Sequence, residues 1–392
     1  MQEGTGINVS GLREVSWNTM IITKLETWRT RRGQEIFDEA RQGRAPMNWD
    51  LVVLRLHTDE GVTGEATAIG VRSSLITQQY LHELIAPVIL GRSVFDREAI
   101  YHELWSIDRH ITFFPVYLPG PVDVALYDIA ARAAGLPLCQ YLGACRESLP
   151  VYASSLWLKT PEDYVADAKS YAARGFKAYK IHPPGPSRLD MEVHQAVRDA
   201  MGPDYVLMSD PVAEYTLEEA IRVGRQLERL GFHWFEEPFR DFEIEKYRKL
   251  CAALDIAVAA TETTRGGPWG VAQAIKFDAV DIVRADVSWK PGVTGTMKIA
   301  ALAEAHGLQC ELHTTTMGPM DIANLHVSCA IRNCEYYEMF APDDVFRFPM
   351  KDEWPFDSQG NIHVPQKPGL GIELDWDAID NNCLEHRETT VG

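Results

Sequence analysis

Six short apolar segments between residues 178 and 313 decide the fold, because each carries an ionisable side chain near its end. They are AYKIHP (178–183), VLMSDP (206–211), HWFEEP (233–238), AVAATE (257–262), DIVRAD (281–286) and LQCELH (308–313). The ionisable residues recur about every 24 to 28 positions, which is the length of one strand, one helix and two loops. In a β/α barrel, catalytic groups lie at the C-terminal ends of successive strands. The spacing therefore predicts an α/β barrel with these side chains on one rim.

Two further segments, LPVYASS (149–155) and EYYEMF (335–340), complete a set of eight predicted barrel strands. Between the strands, apolar residues at helical spacing predict five amphipathic helices, several of which end in Gly. These helices are predicted at residues 161–175, 189–202, 217–231, 244–254 and 295–307.

The chain of 392 residues is longer than a typical barrel, which predicts additional parts. Strand-like segments at 20–30 and 50–66, and helical ones at 74–90 and 122–134, predict an α+β domain over residues 1–148. The barrel is predicted over 149–345. Residues 346–392 contain two strand-like pieces, 361–365 and 371–375, and are predicted to return to the first domain.

Composition limits the possible functions. The net charge of −18 argues against a nucleic-acid partner, which would require a basic face. The sequence contains no run of about 18 apolar residues, the length needed to span a bilayer. Residues 1–17 lack the basic-then-apolar order of a signal peptide. Seven scattered cysteines without a CxxC pair argue against a disulfide framework or a zinc ribbon. We therefore expect a cytoplasmic protein with no nucleic-acid or membrane partner. We also expect a homo-oligomer that acts on a small-molecule carboxylic acid.

Three carboxylates, those of Asp210, Glu236 and Glu262, follow consecutive predicted strands. Each alone would more often be an ion pair or a helix cap. Three converging carboxylates repel one another, so a divalent cation between them is the simplest resolution. Oxygen ligands favour Mg²⁺ over zinc, which usually recruits His or Cys. The sequence therefore predicts a Mg²⁺ site on this rim.

Two pairs of residues are candidates for proton transfer. Lys180 and His182 lie two positions apart on one strand, so both side chains face the C-terminal opening of the barrel, here called the barrel mouth. Asp286 and His313 end neighbouring strands on the opposite side, where the carboxylate can fix the imidazole tautomer and raise its basicity. Each of these residues alone would more often be a buried polar side chain. Beside a metal site, we interpret them as acids and bases.

Glu338 ends the last predicted strand, where it either acts on a developing enolate or pairs with Lys180. Glu237 and Glu335 are interpreted as supporting or outward-facing residues. Several other residues either cap the site or belong to the plain surface: Trp157, His110, Arg72, Arg29, Arg31, Arg32, Arg41 and Arg44.

The whole chain resembles the enolase superfamily, in particular its mandelate racemase subgroup. The likeness rests on SDP at Asp210, FEEP at Glu236, the lone Glu262 and the run DVSWKPGVTGTMKIAALAEAHGLQCELH from Asp286 to His313. It implies a modified TIM barrel of (β/α)7β type with an N-terminal α+β capping domain. The loops of that domain, at residues 28–49 and 64–75 here, would choose the substrate.

The resemblance also implies roles for the site residues. Mg²⁺ held by Asp210, Glu236 and Glu262 would chelate the substrate carboxylate. A base, for which His313 is our candidate, would remove the α-proton. Lys180 and Glu338 would then help to hold the enediolate.

One departure from the family pattern points to the reaction. The subgroup commonly carries KxK on the second barrel strand, whereas this chain has Lys180-Ile181-His182. Some sugar-acid dehydratases of the subgroup also have His there, where it protonates the departing 3-hydroxyl. A neutral-range acid suits this step better than a lysine. We therefore predict a Mg²⁺-dependent dehydratase of an acid sugar such as an aldonate, giving a 2-keto-3-deoxy acid.

Three alternatives remain open at this point. A racemase or epimerase would use His182 and His313 on opposite faces of the α-carbon. A zinc-dependent barrel hydrolase is disfavoured because LPVYASS lacks the HxH that such enzymes usually carry on the first strand. A non-catalytic sugar-acid binding protein is disfavoured because both predicted metal ligands and proton-transfer groups are present.

Overall fold

The structure is a computed structural model, and it describes residues 19–31, 50–70, 73–108, 117–314 and 317–392. In the N-terminal part, three antiparallel strands precede a set of helices. The strands are β1 (Ile22–Thr30), β2 (Leu51–Thr58) and β3 (Thr63–Ile69). The helices are α1 (Ser74–Tyr80), a π-helical turn (Leu81–Ile85), α2 (Ala86–Ile89), α3 (Arg97–Asp108), α4 (Pro119–Ala133) and α5 (Leu138–Leu142).

The predicted strand-like segments at 20–30 and 50–66 and the predicted helices at 74–90 and 122–134 are confirmed. Strands β2 and β3 pair across the turn at Gly61, whose φ of +76° is unstrained for glycine. Helix α4 packs on β3 at Gly64, where a Cβ would lie 2.1 Å from the Ala125 carbonyl oxygen. Helices α3 and α5 were not predicted.

Eight parallel strands form the barrel sheet. They are β4 (Ser148–Ser154), β5 (Ala178–Ile181), β6 (Val206–Ser209), β7 (Trp234–Glu236), β8 (Ala257–Ala260), β9 (Ile282–Ala285), β10 (Gln309–Leu312) and β11 (Tyr337–Phe340). Their order is β10-β9-β8-β7-β6-β5-β4-β11, so the strands from β4 to β10 pair consecutively and β11 pairs with β4. All eight predicted strands are confirmed. Strands buried on both faces read as continuous apolar runs, which made them recognisable in the sequence.

Seven helices connect these strands, which gives the (β/α)7β order of a modified TIM barrel. They are α6 (Pro161–Ala173), α7 (Ser187–Met201), α8 (Leu217–Arg229), α9 (Ile244–Ala253), α10 (Pro268–Lys276), α11 (Gly292–Ala305) and α12 (Pro319–Ala330). The five predicted helices are confirmed, and α10 and α12 were missed. All twelve residues of α12 are buried, so it lacks the polar face that reveals an amphipathic helix.

The C-terminal residues return to both parts of the molecule. The predicted strand at 361–365 is confirmed as β12 (Asn361–His363), although it pairs antiparallel with barrel strand β4 and not with the first domain. The predicted strand at 371–375 is wrong, because Leu374 forms only an isolated bridge with Met350. After helix α13 (Trp376–Asn381), strand β13 (Cys383–Thr390) pairs antiparallel with β1. It was not predicted, because CLEHRETT is a mostly exposed, charged edge strand.

Helices α4 and α11 form one of the contacts between the N-terminal part and the barrel. Asp123 of α4 accepts hydrogen bonds from the Thr294 amide at 2.9 Å and from the Thr294 hydroxyl at 2.8 Å. Gly292 permits this approach, since a Cβ there would lie 2.1 Å from Asp123 Oδ2. This contact fixes α11 and the end of β9 that precedes it. Among the described residues, no helix is long and apolar enough to cross a membrane.

Candidate metal and acid–base site

The three predicted metal ligands converge at the barrel mouth. Asp210 follows β6, Glu236 ends β7 and Glu262 lies two residues beyond β8. One carboxylate oxygen from each lies within 4.8 Å of the others. Asp210 and Glu236 are buried, and Glu262 is partly exposed. The structure therefore brings together the residues that the sequence predicted as one set.

The backbone around these carboxylates is strained. Positive φ angles occur at Val212 (+53°), Ala213 (+63°), Glu237 (+34°) and Thr261 (+88°), each within three residues of one of the ligands. Non-glycine residues rarely adopt such angles, least of all β-branched ones such as Val and Thr. The chain bends sharply after β6, β7 and β8, and these bends place the carboxylates.

A buried group of four alternating charges lies directly below. Lys180 Nζ lies 3.1 Å from both oxygens of Glu236, 2.7 Å from Glu338 Oε1 and 3.6 Å from Asp210 Oδ2. Arg284 closes the group through Glu236 Oε1 at 2.8 Å and Glu338 Oε2 at 2.7 Å. Burial alone would lower the pKa of Lys180, but Glu236 and Glu338 raise it above its ordinary value. Lys180 is therefore a fixed cation. Of the two roles predicted for Glu338, action on an enolate or pairing with Lys180, the structure shows the pairing.

His182 lies one residue beyond β5 and next to Asp210. Its Nδ1 lies 2.5 Å from the Ser155 carbonyl oxygen, and its Nε2 lies 3.2 Å from Asp210 Oδ2. A backbone carbonyl only accepts, so Nδ1 carries a proton. The ring stacks on Phe340 with centroids 5.7 Å apart and an interplanar angle of 18°. The imidazole is thus held with Nε2 facing the carboxylates.

His313 approaches the carboxylates from the other side. Its Nδ1 lies 3.1 Å from Asp286 Oδ2, and its Nε2 lies 3.5 Å from Glu262 Oε1. The amides of Ser288 and Trp289 donate to Asp286 Oδ1 at 2.5 and 2.6 Å, which fixes that carboxylate. Burial alone would lower the pKa of His313, but Glu262 and Asp286 raise it to about 9. The predicted pairing of Asp286 with His313 is present.

The pKa values of the carboxylates differ across the mouth. Burial alone would raise the pKa of Asp210, yet His182 and Lys180 hold it below its usual range. Burial and the charge of Glu236 raise the pKa of Glu262, although His313 opposes this effect. Burial and the charge of Glu262 raise the pKa of Glu237 well above its usual range.

The residues present fit a hard divalent cation. The donor set consists of carboxylate oxygens, which Mg²⁺ prefers, and in the described part of the chain Glu262 has an ion pair with His313 but none with a lysine or arginine. Glu236 is the most constrained member. Besides Lys180 and Arg284, the Trp234 indole donates to its Oε2 at 2.9 Å. Since a carboxylate accepts about four contacts, Glu236 can bind a cation only if one of these three donors releases an oxygen.

Two buried residues of the site were missed, and the structure decides between the two interpretations of a third. Arg284 interrupts the apolar strand DIVRAD, and this interruption was the available signal. Lys290 is fully buried, donates to the Thr264 carbonyl at 2.7 Å, and has its pKa lowered to about 8 by burial. Glu237, interpreted as supporting or outward-facing, is buried and accepts from the Glu262 amide at 2.9 Å.

The remaining predicted residues contribute less to the described site. Trp157 lies against His182 with ring centroids 5.7 Å apart. Glu335 is exposed, and Arg29 pairs with Glu385 on the N-terminal sheet. Arg31 is exposed. Of the two predicted substrate loops, residues 28–30 and 64–69 belong to β1 and β3. The rest of the first loop is mostly outside the described residues, as are Arg72, His110, Arg32, Arg41 and Arg44.

The chain matches two known protein families. Residues 163–378 match the family described as Enolase C-terminal domain-like. Residues 41–143 match the family described as Mandelate racemase / muconate lactonizing enzyme, N-terminal domain. Together the two matches span both parts of the molecule.

Individual relatives include enzymes of two reaction types. The arabinonate dehydratase of Saccharolobus solfataricus is 28% identical over 343 residues, covering 86% of this chain and 91% of that protein. The L-Ala-D/L-Glu epimerase of Bacillus subtilis is 28% identical, covering 82% of this chain and 88% of that protein. The crystal structure of D-glucarate dehydratase from Agrobacterium tumefaciens complexed with magnesium superposes with a TM-score of 0.83 and 32% identity, covering 94% of this chain and all of that one.

Proposed function

Because this chain belongs to the mandelate racemase and muconate lactonizing enzyme group of the enolase superfamily, we propose that it is a Mg²⁺-dependent dehydratase of an acid sugar. Its product would be a 2-keto-3-deoxy acid. The similar arabinonate and D-glucarate dehydratases support this choice of reaction.

The observation that carries the proposal is the position of two imidazoles on either side of the carboxylate set. His182 Nε2 lies 3.2 Å from Asp210, and His313 Nε2 lies 3.5 Å from Glu262. A substrate carboxylate bound near these residues would have its α- and β-carbons between the two rings. One imidazole can then remove a proton while the other donates one.

A Mg²⁺ ion held by Asp210, Glu236 and Glu262 would supply a Lewis acid for the substrate carboxylate and would offset the charge of Glu262 that raises the pKa of His313. The protein performs the proton transfers. His313 Nε2 accepts the α-proton, and Asp286 stabilises the resulting imidazolium through Nδ1. The electron pair of the broken C–H bond passes into the enediolate of the substrate.

Elimination then proceeds on the His182 side. Because Nδ1 already donates to Ser155, a second proton on Nε2 makes this imidazole a cation beside Asp210. His182 donates that proton to the 3-hydroxyl as the C–O bond breaks, and water leaves. Lys180, kept protonated by Glu236 and Glu338, contributes a fixed positive charge close to the developing negative charge. The enol that remains converts to the 2-keto-3-deoxy acid by taking a proton at C3.

Racemisation or epimerisation is the second candidate, and the same pair of imidazoles favours it. His182 could return a proton to the α-carbon from the face opposite His313. The L-Ala-D/L-Glu epimerase from Bacillus subtilis, which is 28% identical to this chain, also supports this candidate. We favour dehydration because an imidazole replaces the commoner lysine at position 182 and suits the protonation of a departing hydroxyl.

A panel of aldonates and aldarates tests the proposal. The purified protein with MgCl₂ is expected to produce a 2-keto acid, detected as its semicarbazone, from at least one panel member. EDTA should abolish the reaction, and added Mg²⁺ should restore it. Production of an α-epimer without any keto acid would assign the chain to the second candidate.

His182→Asn separates the two halves of the proposed reaction. The variant should lose keto acid formation while some exchange of the α-proton with deuterated solvent continues through His313. His233→Asn is the matched control, because His233 precedes β7 at the opposite end of the barrel. Equal loss of exchange and elimination in His182→Asn would place His182 at the first step instead.

A further inference from the structure

Glu237 contacts the chain segments that carry all three proposed metal ligands. It directly follows Glu236, and its side-chain Oε1 accepts from the Glu262 amide at 2.9 Å. Its own carbonyl oxygen accepts from the Ala213 amide at 2.7 Å, three residues beyond Asp210. Its amide donates to the Ala259 carbonyl at 3.0 Å, which anchors it to β8. One residue therefore connects the loops after β6, β7 and β8.

The contact with Glu262 is the one that depends on the side chain. Residue 262 lies beyond the last paired residue of β8, so the sheet does not fix its backbone. Thr261, just before it, has a φ of +88°, which a β-branched residue adopts only when its surroundings impose it. The Thr261 hydroxyl donates to the Arg284 carbonyl at 2.9 Å, and Lys290 holds the Thr264 carbonyl at 2.7 Å. Glu262 lies between these two contacts, and Glu237 accepts the hydrogen bond from its amide.

Because Glu237 is buried, losing its hydrogen bond to the Glu262 amide would carry a large free-energy penalty. The residue is 8% exposed, and in the part of the chain that the structure describes it has no ion pair with a lysine or arginine. A buried carboxyl group without a cation is unfavourable, whereas an amide nitrogen left without an acceptor would add a further penalty. The hydrogen bond to the Glu262 amide therefore has few substitutes in this pocket.

We propose that Glu237 is a positioning residue of the metal site, whose side-chain oxygen fixes the backbone of Glu262 so that the Glu262 carboxylate faces Asp210 and Glu236. The proposal rests on the proposed function, because it requires that these three carboxylates bind Mg²⁺. Glu237 itself need not touch the cation. The acceptor oxygen is the feature that matters, and a neutral amide could provide it.

Two substitutions separate the acceptor from the charge. Glu237→Gln keeps an acceptor oxygen at the same reach, and Glu237→Met has a similar length without one. Titration calorimetry with MgCl₂ alone should give Glu237→Gln an affinity within about threefold of wild type. Glu237→Met should bind Mg²⁺ about 10- to 100-fold more weakly, the usual loss when a residue supporting a ligand is removed. Glu335→Met is the control on an exposed glutamate before β11, and it should bind Mg²⁺ as wild type does.

Each other outcome overturns the proposal. Wild-type affinity in Glu237→Met would show that the contact does not position Glu262. Equal weakening in Glu237→Gln and Glu237→Met would show that the charge matters rather than the acceptor. Absence of Mg²⁺ binding in wild type would overturn the proposed function as well, and so is distinguishable from either result. Circular dichroism establishes folding, and Glu237→Ala replaces the Met variant if that variant is unfolded.

Discussion

The two sides of the barrel mouth hold their carboxylates in different ways. On the cation-rich side, formed by Lys180, His182 and Asp210, the two basic side chains lie 3.6 and 3.2 Å from Asp210 Oδ2. On the cation-poor side, formed by Glu237, Glu262 and His313, the structure as described shows no lysine or arginine paired with either glutamate. The pKa is lowered for Asp210 and raised for both glutamates.

This difference shows that neighbouring cations, and not burial alone, decide whether a carboxylate is stable in its ionised form. Burial raises the pKa on both sides, and only the cation-rich side overcomes it. A divalent cation would therefore lower the free energy most on the side of Glu262. The same asymmetry gives the two imidazoles different neighbours. In the proposed reaction His313 accepts a proton and His182 donates one.

The largest expected effect concerns the imidazole on the cation-poor side. His313→Asn removes the proposed base while Asn can still hydrogen-bond to Asp286. Exchange of the substrate α-proton with deuterated solvent should fall by about 10³- to 10⁴-fold, within the upper range for loss of a general base. Proton NMR of an acid sugar that the wild type converts measures this rate. Exchange at the wild-type rate would assign proton removal to the cation-rich side.

A second pair of variants tests the asymmetry through stability in EDTA at pH 8. Asp210→Asn removes the carboxylate paired with His182 and one of the three carboxylates beside Lys180, so the free energy of unfolding should fall by about 3 kcal/mol, as when a buried ion pair is broken. Glu262→Gln removes a charge whose ion pair, among the described residues, is with His313 alone, so the free energy of unfolding should fall by less than in Asp210→Asn. Urea unfolding measures both. Changes of the same sign and size would contradict the distinction between the two sides.

A carboxylate outside the mouth sharpens the comparison. The hydrogen bonds of Asp123 come from Thr294, and burial raises its pKa to about 6. The folded state therefore binds the Asp123 proton more tightly than the unfolded state. Its stabilising contribution is present below about pH 4 and is lost as pH rises through 6. A shift of about two pKa units corresponds to about 3 kcal/mol.

Asp123→Asn should remove this pH dependence, because Asn can accept from the Thr294 amide without a charge. Wild type should lose up to about 3 kcal/mol of unfolding free energy relative to the variant between pH 4 and pH 7. Urea unfolding at both pH values gives the difference. A constant difference between the two proteins would show that Asp123 does not titrate in this range.

The smallest expected effect is on metal affinity. Glu236→Gln removes one charge from the proposed ligand set but keeps an amide that can accept from Arg284. Mg²⁺ affinity should fall by at least about tenfold, equivalent to 1.4 kcal/mol. Titration calorimetry measures it, and the unchanged circular dichroism spectrum serves as the control. Wild-type affinity would remove Glu236 from the ligand set.

The sequence predicted the barrel and the convergence of its carboxylates because both follow from local patterns. Buried parallel strands read as apolar runs, and the residue after each run must lie at the same rim. Helix α12 was missed because its complete burial leaves no periodic polar face. The charged edge strand β13 was missed because its pairing with β1 joins residues more than 350 positions apart.

The electrostatic pattern of the site required three-dimensional contacts. Arg284 pairs with Glu338 across 54 residues, and no local motif connects them. From the sequence, Glu237 was either a supporting or an outward-facing residue. In the structure it has a φ of +34°, and its side chain accepts a hydrogen bond from the Glu262 amide. Thus the sequence predicted which residues form the proposed ligand set, whereas it did not predict the contacts that shift their pKa values and fix their positions.

The most direct test of the central claim is one proton NMR experiment in deuterated solvent. Wild-type protein, MgCl₂ and the acid sugar that it converts are followed until the C2 proton signal disappears. The account predicts a 2-keto acid with deuterium incorporated at C3, formed only when Mg²⁺ is present. Recovery of a C2-deuterated epimer without keto acid, or keto acid formation undiminished by EDTA, would contradict it.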